Sequence, residues 1–203
     1  ISYTQEGAEV DVIKVMNVDT RQFLKDSVFP SAGFNTWTYD SKNFCYMWIQ
    51  NADNKDPNSR LNPKSKMHKV GDVQENDIDF FSNGSYPELN IEPAVYPFVY
   101  LSKDAPQYIF SGTGSVQPEI VAYSAPIAEL NNKKINWKPL CRAEDKLVRS
   151  FGVIGNTAYG ITYSNAKNYK LISAPVSNPN WSNATVIAPE KNNQTLEYFT
   201  NCK

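Results

Sequence analysis

Lys146-Leu-Val-Arg-Ser-Phe-Gly-Val-Ile-Gly-Asn-Thr-Ala-Tyr-Gly-Ile-Thr-Tyr163 places two runs rich in β-branched and aromatic residues on either side of Gly155–Asn156. Such runs favour strands, and a Gly-Asn pair between them reverses the chain. Tyr169–Ala174 and Ala184–Ala188 continue with two more short runs, so residues 146–188 read as four strands in an antiparallel meander.

The same set occurs twice upstream. One copy has a strand ending at Trp37, the turn Asp40–Asn43, then Phe44–Ile49, Lys66–Val70 and Asp77–Phe81, with the polar loop 51–64 in its middle. The other has Glu92–Leu101, the turn Ser102–Ala105, Gln107–Ser111, Glu119–Ser124 and Trp137–Leu140. Ile1–Thr4 and Val10–Val18 flank the turn Gln5–Gly7 and form a leading hairpin. Corresponding points such as Ile78, Lys138 and Thr185 recur every ~45–60 residues, the period and strand count of propeller blades. A β-sandwich or an open barrel also uses many short strands, but four strands at this period favours a propeller. Helical periodicity is confined to a turn or two near Ala128–Leu130 and Ala143–Leu147.

The expected fold is therefore all-β: a single partial β-propeller over 1–203, with blade pieces at roughly 1–25, 26–84, 85–141 and 142–203. Three full blades and a hairpin fall short of the roughly four to eight blades of a closed ring. An incomplete ring leaves apolar blade faces and strand edges uncovered, so the isolated chain is expected to self-associate.

Composition excludes several functions. The 203 residues carry 20 basic and 21 acidic side chains spread along the chain, for a net charge of −1, with no basic stripe for nucleic acid. No apolar run approaches the roughly 20 residues of a membrane span. Cys45, Cys141 and Cys202 are far apart and unpaired by spacing, and read as small buried hydrophobes in a reduced protein. Three glycosylation sequons, at Asn83, Asn183 and Asn193, are what chance gives a chain rich in Asn, Ser and Thr, so they do not fix a compartment. A soluble protein of cytoplasm or periplasm is the expectation, with the choice open.

The third copy also carries a family resemblance. Thr162-Tyr-Ser-Asn-Ala-Lys-Asn-Tyr-Lys-Leu-Ile172, Ser177-Asn-Pro-Asn-Trp181, Val186-Ile-Ala-Pro-Glu190 and Leu196-Glu197 resemble the prolyl oligopeptidase propeller. That family's pattern is Thr-Asn, then Pro-Asn-Tyr-Arg-Leu, an Asn-Pro or Asp-Pro with Trp, Ile-Pro-Glu and Leu-Glu. Lys167 stands here where the family usually has Pro. Ile13-Lys-Val-Met-Asn-Val-Asp19 and Thr36-Trp-Thr-Tyr-Asp-Ser-Lys-Asn-Phe44 are similar to two further stretches of the family in the same order and spacing. The least similar part runs from Pro87 to Leu130.

The resemblance implies the central blades of a seven-bladed propeller that sits over an α/β-hydrolase domain and admits only short peptides. The implied partners are that hydrolase domain, on the same polypeptide, and short peptide substrates of the parent serine peptidase. The rival reading is a stand-alone propeller-type module binding a peptide, glycan or protein through aromatic-rich loops such as Asn83–Pro97.

Catalytic, cofactor and metal residues are expected to be none. A serine hydrolase needs a G-x-S-x-G elbow and a histidine base, and no such elbow occurs. Gly112-Thr-Gly-Ser115 reads as a turn at a strand end, and lacks the third glycine of a dinucleotide loop. His68, the only histidine, reads as an exposed strand residue. Asp72, Glu75, Asp77 and Asp79 read as a solvated loop, with weak calcium binding the alternative. Trp37, Trp48, Trp137 and Trp181 are expected between blades, with one of them lining a peptide channel as the alternative. Where the family places substrate-side Phe and Cys types, this chain has Ala32, Gly33 and Ser115, so the resemblance transfers no substrate contact.

Overall fold

The computed structural model describes residues 1–4, 9–53 and 55–200. The expected turn Gln5–Gly7 and Cys202 lie outside the described residues. Among the described residues, strands dominate, and helix is limited to single 3-10 turns. Two of these, Ile127–Glu129 and Ala143–Asp145, fall where the sequence shows helical periodicity. No helix there is long and apolar enough to cross a membrane.

The strands form three open antiparallel sheets. The first contains β1 (Ser2–Thr4), β2 (Asp11–Met16), β3 (Phe23–Trp37), β4 (Asn43–Trp48), β5 (Lys64–Lys69) and β6 (Ile78–Phe81), side by side in chain order. The second contains β7 (Tyr96–Tyr100), β8 (Tyr108–Gly114), β9 (Val121–Pro126) and β10 (Lys138–Cys141), again in sequential order. The third contains β11 (Leu147–Ile154), β12 (Thr157–Thr162), β13 (Lys170–Pro175) and β14 (Thr185–Ala188). The repeated four-strand meander is thus present, and the open sheets fit an incomplete propeller. The chain divides into two compact units, 1–101 with 113–115, and 102–112 with 116–203.

In the first unit the leading hairpin and the first four-strand set share one strand, β3, which pairs with both neighbours. Its first half pairs with β2, from Met16↔Phe23 to Asp11↔Ser31. Its second half pairs with β4, from Ser31↔Trp48 to Trp37↔Phe44. Two features let one strand serve both. The register slips between Ser31 and Phe34, and Gly33 sits at φ +128°, a conformation that side chains with a Cβ rarely adopt. The bend turns β2 and the first half of β3 onto the face of β4. Ile13, Val15 and Val28 there form one buried cluster with Phe44 and Tyr46, flanked by Trp48 and Val70. At about 1.5–3 kcal/mol for each large apolar side chain buried, this seam is a main source of cohesion in the unit.

In the second unit, β11 and β12 meet as expected at a two-residue turn, with Ile154 opposite Thr157 and Gly155 at φ +55°. Leu147, Ala158 and Ile161 are fully buried inside the third sheet. Ile120 N–H donates to Leu147 O (2.8 Å) and Trp181 Nε1 donates to Leu140 O (2.8 Å), tying β9 and β10 to the third sheet. Cys45 and Cys141 are both buried and free, and burial pushes each thiol up to about 12, as befits packing residues.

Candidate functional site

The most concentrated chemistry in the chain lies at one end of the seam between the first half of β3 and the β4–β6 strands. Asp26 and Val28 are two residues apart on β3, so both point inward. Opposite them, β5 delivers His68. The segment after β5 then turns back, with Gly71 at φ +87° and a 3-10 turn at Gln74–Asn76, and brings Asp77 under the imidazole.

His68 is the correction to the sequence reading. It is 0% exposed, not a surface strand residue. Its alternation partners Lys64 and Lys66 reach outward over the Trp48 ring (5.7 and 5.3 Å), but the His68 end of that face is roofed by β3. Nδ1 lies 2.7 Å from Asp77 Oδ1 and Nε2 lies 3.0 Å from Asp26 Oδ1. Around this core, Tyr46 Oη–H donates to Asp77 Oδ2 (2.7 Å) and Gly71 N–H donates to Asp26 Oδ1. Gln74 accepts from Phe29 N–H (3.0 Å) through Oε1 and reaches Tyr46 Oη with its amide nitrogen.

These surroundings set the protonation states. Burial disfavours a charged His68, but hydrogen bonds and charges of Asp77 and Asp26 outweigh it, and its pKa is raised above the ordinary value. Burial first, then Asp77, holds Tyr46 far above the usual phenol range. A fully enclosed ring with both nitrogens engaged cannot take a proton from a substrate hydroxyl, so the cluster is built for cohesion rather than acid–base turnover.

The acidic run does not converge. Asp77 faces His68, while Asp79 pairs with Lys64 (3.0 Å). Asp72 accepts from Val73 N–H and from the Asn76 side chain, the first of which chiefly lowers its pKa. Among the described residues no three His, Cys, Asp or Glu side chains group as metal ligands. Gly112–Ser115 forms the end of β8 and the residue after it.

Trp181 and Trp137 are buried, and Trp48 is half-buried. Trp37 is 39% exposed, and with Phe34, Ile1, Ile13, Val15 and Phe44 it lines a shallow apolar cavity of about 220 Å³. Its ring meets Phe44 edge-on at 5.2 Å between centroids.

A family model described as prolyl oligopeptidase, N-terminal beta-propeller domain, matches residues 1–203. The chain belongs to that family. Solved structures of prolyl peptidases share its fold. One is from a study of two prolyl endopeptidases and the role of inter-domain dynamics in catalysis and specificity: TM-score 0.71, 17% identity, 94% of this chain and 27% of that one. Prolyl oligopeptidase B from Galerina marginata bound to a 35mer hydrolysis and macrocyclization substrate superposes with TM-score 0.68 at 21% identity, again over 94% and 27%. The same enzyme bound to a 25mer macrocyclization substrate gives TM-score 0.65 at 22% identity, over 91% and 27%. The chain thus spans about a quarter of the length of these peptidases. A comparison with curated proteins returned no relative.

What this prolyl oligopeptidase-family segment contributes is propeller. Its 203 residues contain no G-x-S-x-G elbow, and their one histidine is walled in by Asp26 and Asp77. Sequence reasoning overlooked Asp26 as a site residue. The one signal was its place two residues from Val28: a carboxylate on an inward strand face needs a buried partner, but residue types alone do not say which of the chain's basic groups supplies it.

Proposed function

We propose that this chain is a substrate-gating portion of the propeller of a prolyl-oligopeptidase-like serine peptidase, acting beside an α/β-hydrolase domain of the same polypeptide. The observation that carries the reading is the propeller-family match over all 203 residues of a chain without a nucleophile elbow. The segment is one partial propeller domain, with blade pieces at roughly 1–25, 26–84, 85–141 and 142–203. Its substrates through the parent enzyme are short peptides, in keeping with the peptide-bound state of the similar oligopeptidase B structures.

Two measurements test this. The purified chain, incubated with a proline-containing chromogenic peptide, is expected to release no product above background; activity that co-purifies with the chain would refute the assignment. In the polypeptide that joins this segment to a hydrolase domain, a short proline peptide is expected to be cleaved while the same sequence inside a folded protein is spared. Equal cleavage of both would sink the gating role.

The isolated chain is also expected to self-associate. Ile1, Phe23, Phe29 and Trp37 in the first unit, and Val186, Ile187 and Tyr198 in the second, expose large apolar surface. Sedimentation velocity at micromolar concentration should show mass rising with concentration. A single concentration-independent monomer would contradict it.

A further inference from the structure

We infer that the proton on His68 is a latch: the imidazolium holds the first half of β3, with β2 and β1 attached to it, against the β4–β6 part of the sheet, and its loss loosens that seam.

A neutral His68 has too few donors for its surroundings. His68 Nδ1 and Nε2 both lie within hydrogen-bond distance of carboxylate oxygens, at 2.7 Å from Asp77 and 3.0 Å from Asp26. Carboxylates only accept when ionised, and a neutral imidazole has one N–H. Both contacts are hydrogen bonds together only if the ring carries two protons. Remove one, and one N···O contact sets two lone pairs face to face in a site where ring and carboxylates are shut away from water.

The two contacts do different work. Asp77 belongs to the segment that follows β5, and Tyr46 on the adjacent β4 supports it from its other oxygen. That side of the ring stays within one part of the sheet. Asp26 comes from β3, 42 residues earlier in the chain, and its side of the ring crosses the seam. Asp26 Oδ1 takes both the His68 and the Gly71 bonds, while Oδ2 has no partner among the described residues. The charge of Asp26 is therefore compensated across the seam or not at all. Among the described residues no other titratable group substitutes. The ring is faced by Asp26 from β3, Tyr46 from β4, and Asp77 with the more distant Asp72 from the segment before β6. The Phe44 ring lies 5.0 Å away, and β2 contributes only Ile13 and Val15 to the seam.

The direction with pH follows. The folded protein holds the proton more tightly than the unfolded chain does. Below the unfolded histidine value, about 6.5, the latch contributes fully. Above it, the seam weakens by up to about tenfold in its opening equilibrium for each pH unit, until the folded pKa is passed. An acid-stabilised, base-released seam is the reverse of a histidine buried neutral.

Because His68 is the only histidine, its ring signals are unambiguous. In the uniformly 15N-labelled chain at pH 7, two-bond nitrogen–proton correlation should show both ring nitrogens protonated. Amide exchange, corrected for intrinsic rates, is then followed as pH rises through the His68 titration. Protection at Ile13 and Val28 should fall at least tenfold, while protection at Ile161 in the third sheet changes less than twofold. Asp26→Asn should lower the pH at which His68 loses its proton and bring the fall in protection down with it. A ring nitrogen without its proton at pH 7 would overturn the inference. So would loss of protection that is equal at Val28 and Ile161, or that does not track the His68 signal in the Asp26→Asn variant.

Discussion

Replacing His68 by alanine is expected to lower the stability of the chain by about 3–5 kcal/mol, the cost of stranding a buried charge. A domain has roughly 5–15 kcal/mol in all, so the loss is a large share of the total. The reason is the pair left behind: Asp26 and Asp77 remain enclosed, and the cation that compensates both is gone. Urea unfolding at pH 7 measures the loss. The deficit should narrow as pH rises above about 6.5, because the intact chain itself then begins to lose the stabilisation that the raised His68 pKa brings. Replacing Asp26 and His68 together, by leucine and phenylalanine, should cost less than His68→Ala alone, since one stranded carboxylate, Asp77, then remains instead of two. A loss below about 1 kcal/mol for His68→Ala, the worth of an exposed ion pair, would show that water reaches the cluster.

Phe44→Ala is expected to cost about 3–5 kcal/mol as well, by a different mechanism. Phe44 is 1% exposed at the centre of the seam cluster. Its ring has Trp37 at 5.2 Å, His68 at 5.0 Å and Tyr46 at 6.2 Å, so truncation opens a cavity that several neighbours line without being able to fill. Phe34, on the rim of the same ring cluster at 6.1 Å, is 40% exposed, and Phe34→Ala should cost no more than about 1 kcal/mol. The two variants, unfolded side by side in urea, separate a core from a surface. Equal losses would mean that the seam does not close over Phe44. Phe44→Ala and His68→Ala also differ with pH. The Phe44 deficit should be flat between pH 5 and 8, whereas that of His68→Ala is not.

Much of the fold was legible because strands announce themselves locally. The run 146–163 alternates, pauses at Gly155–Asn156 and resumes, and the paired strands β11 and β12 follow it within a residue at either end. β13 and β14 are equally direct. The joining of hairpin and first four-strand set was not legible. Residues 23–37 contain Pro30 and Gly33, which punctuate a sequence, yet here they sit within one continuous bulged strand that changes partner at Ser31. Nothing short-range tells a break from a bend, because the difference lies in which strand is waiting on each side.

The strand meander, its repeat, the lack of a nucleophile elbow and the family all depend on residue types and spacings along the chain, and so could be read from them. The tertiary structure alone decided the fate of His68. The Lys64–Lys69 strand is polar at nearly every position and shows no inward face that would bury an imidazole. His68 is enclosed because Asp26, Gly71 and Asp77 arrive from 42, 3 and 9 residues away and replace its water with two carboxylates. Burial of a polar group depends on partners that compensate its desolvation, and those partners adjoin it only once β3 has folded across the sheet.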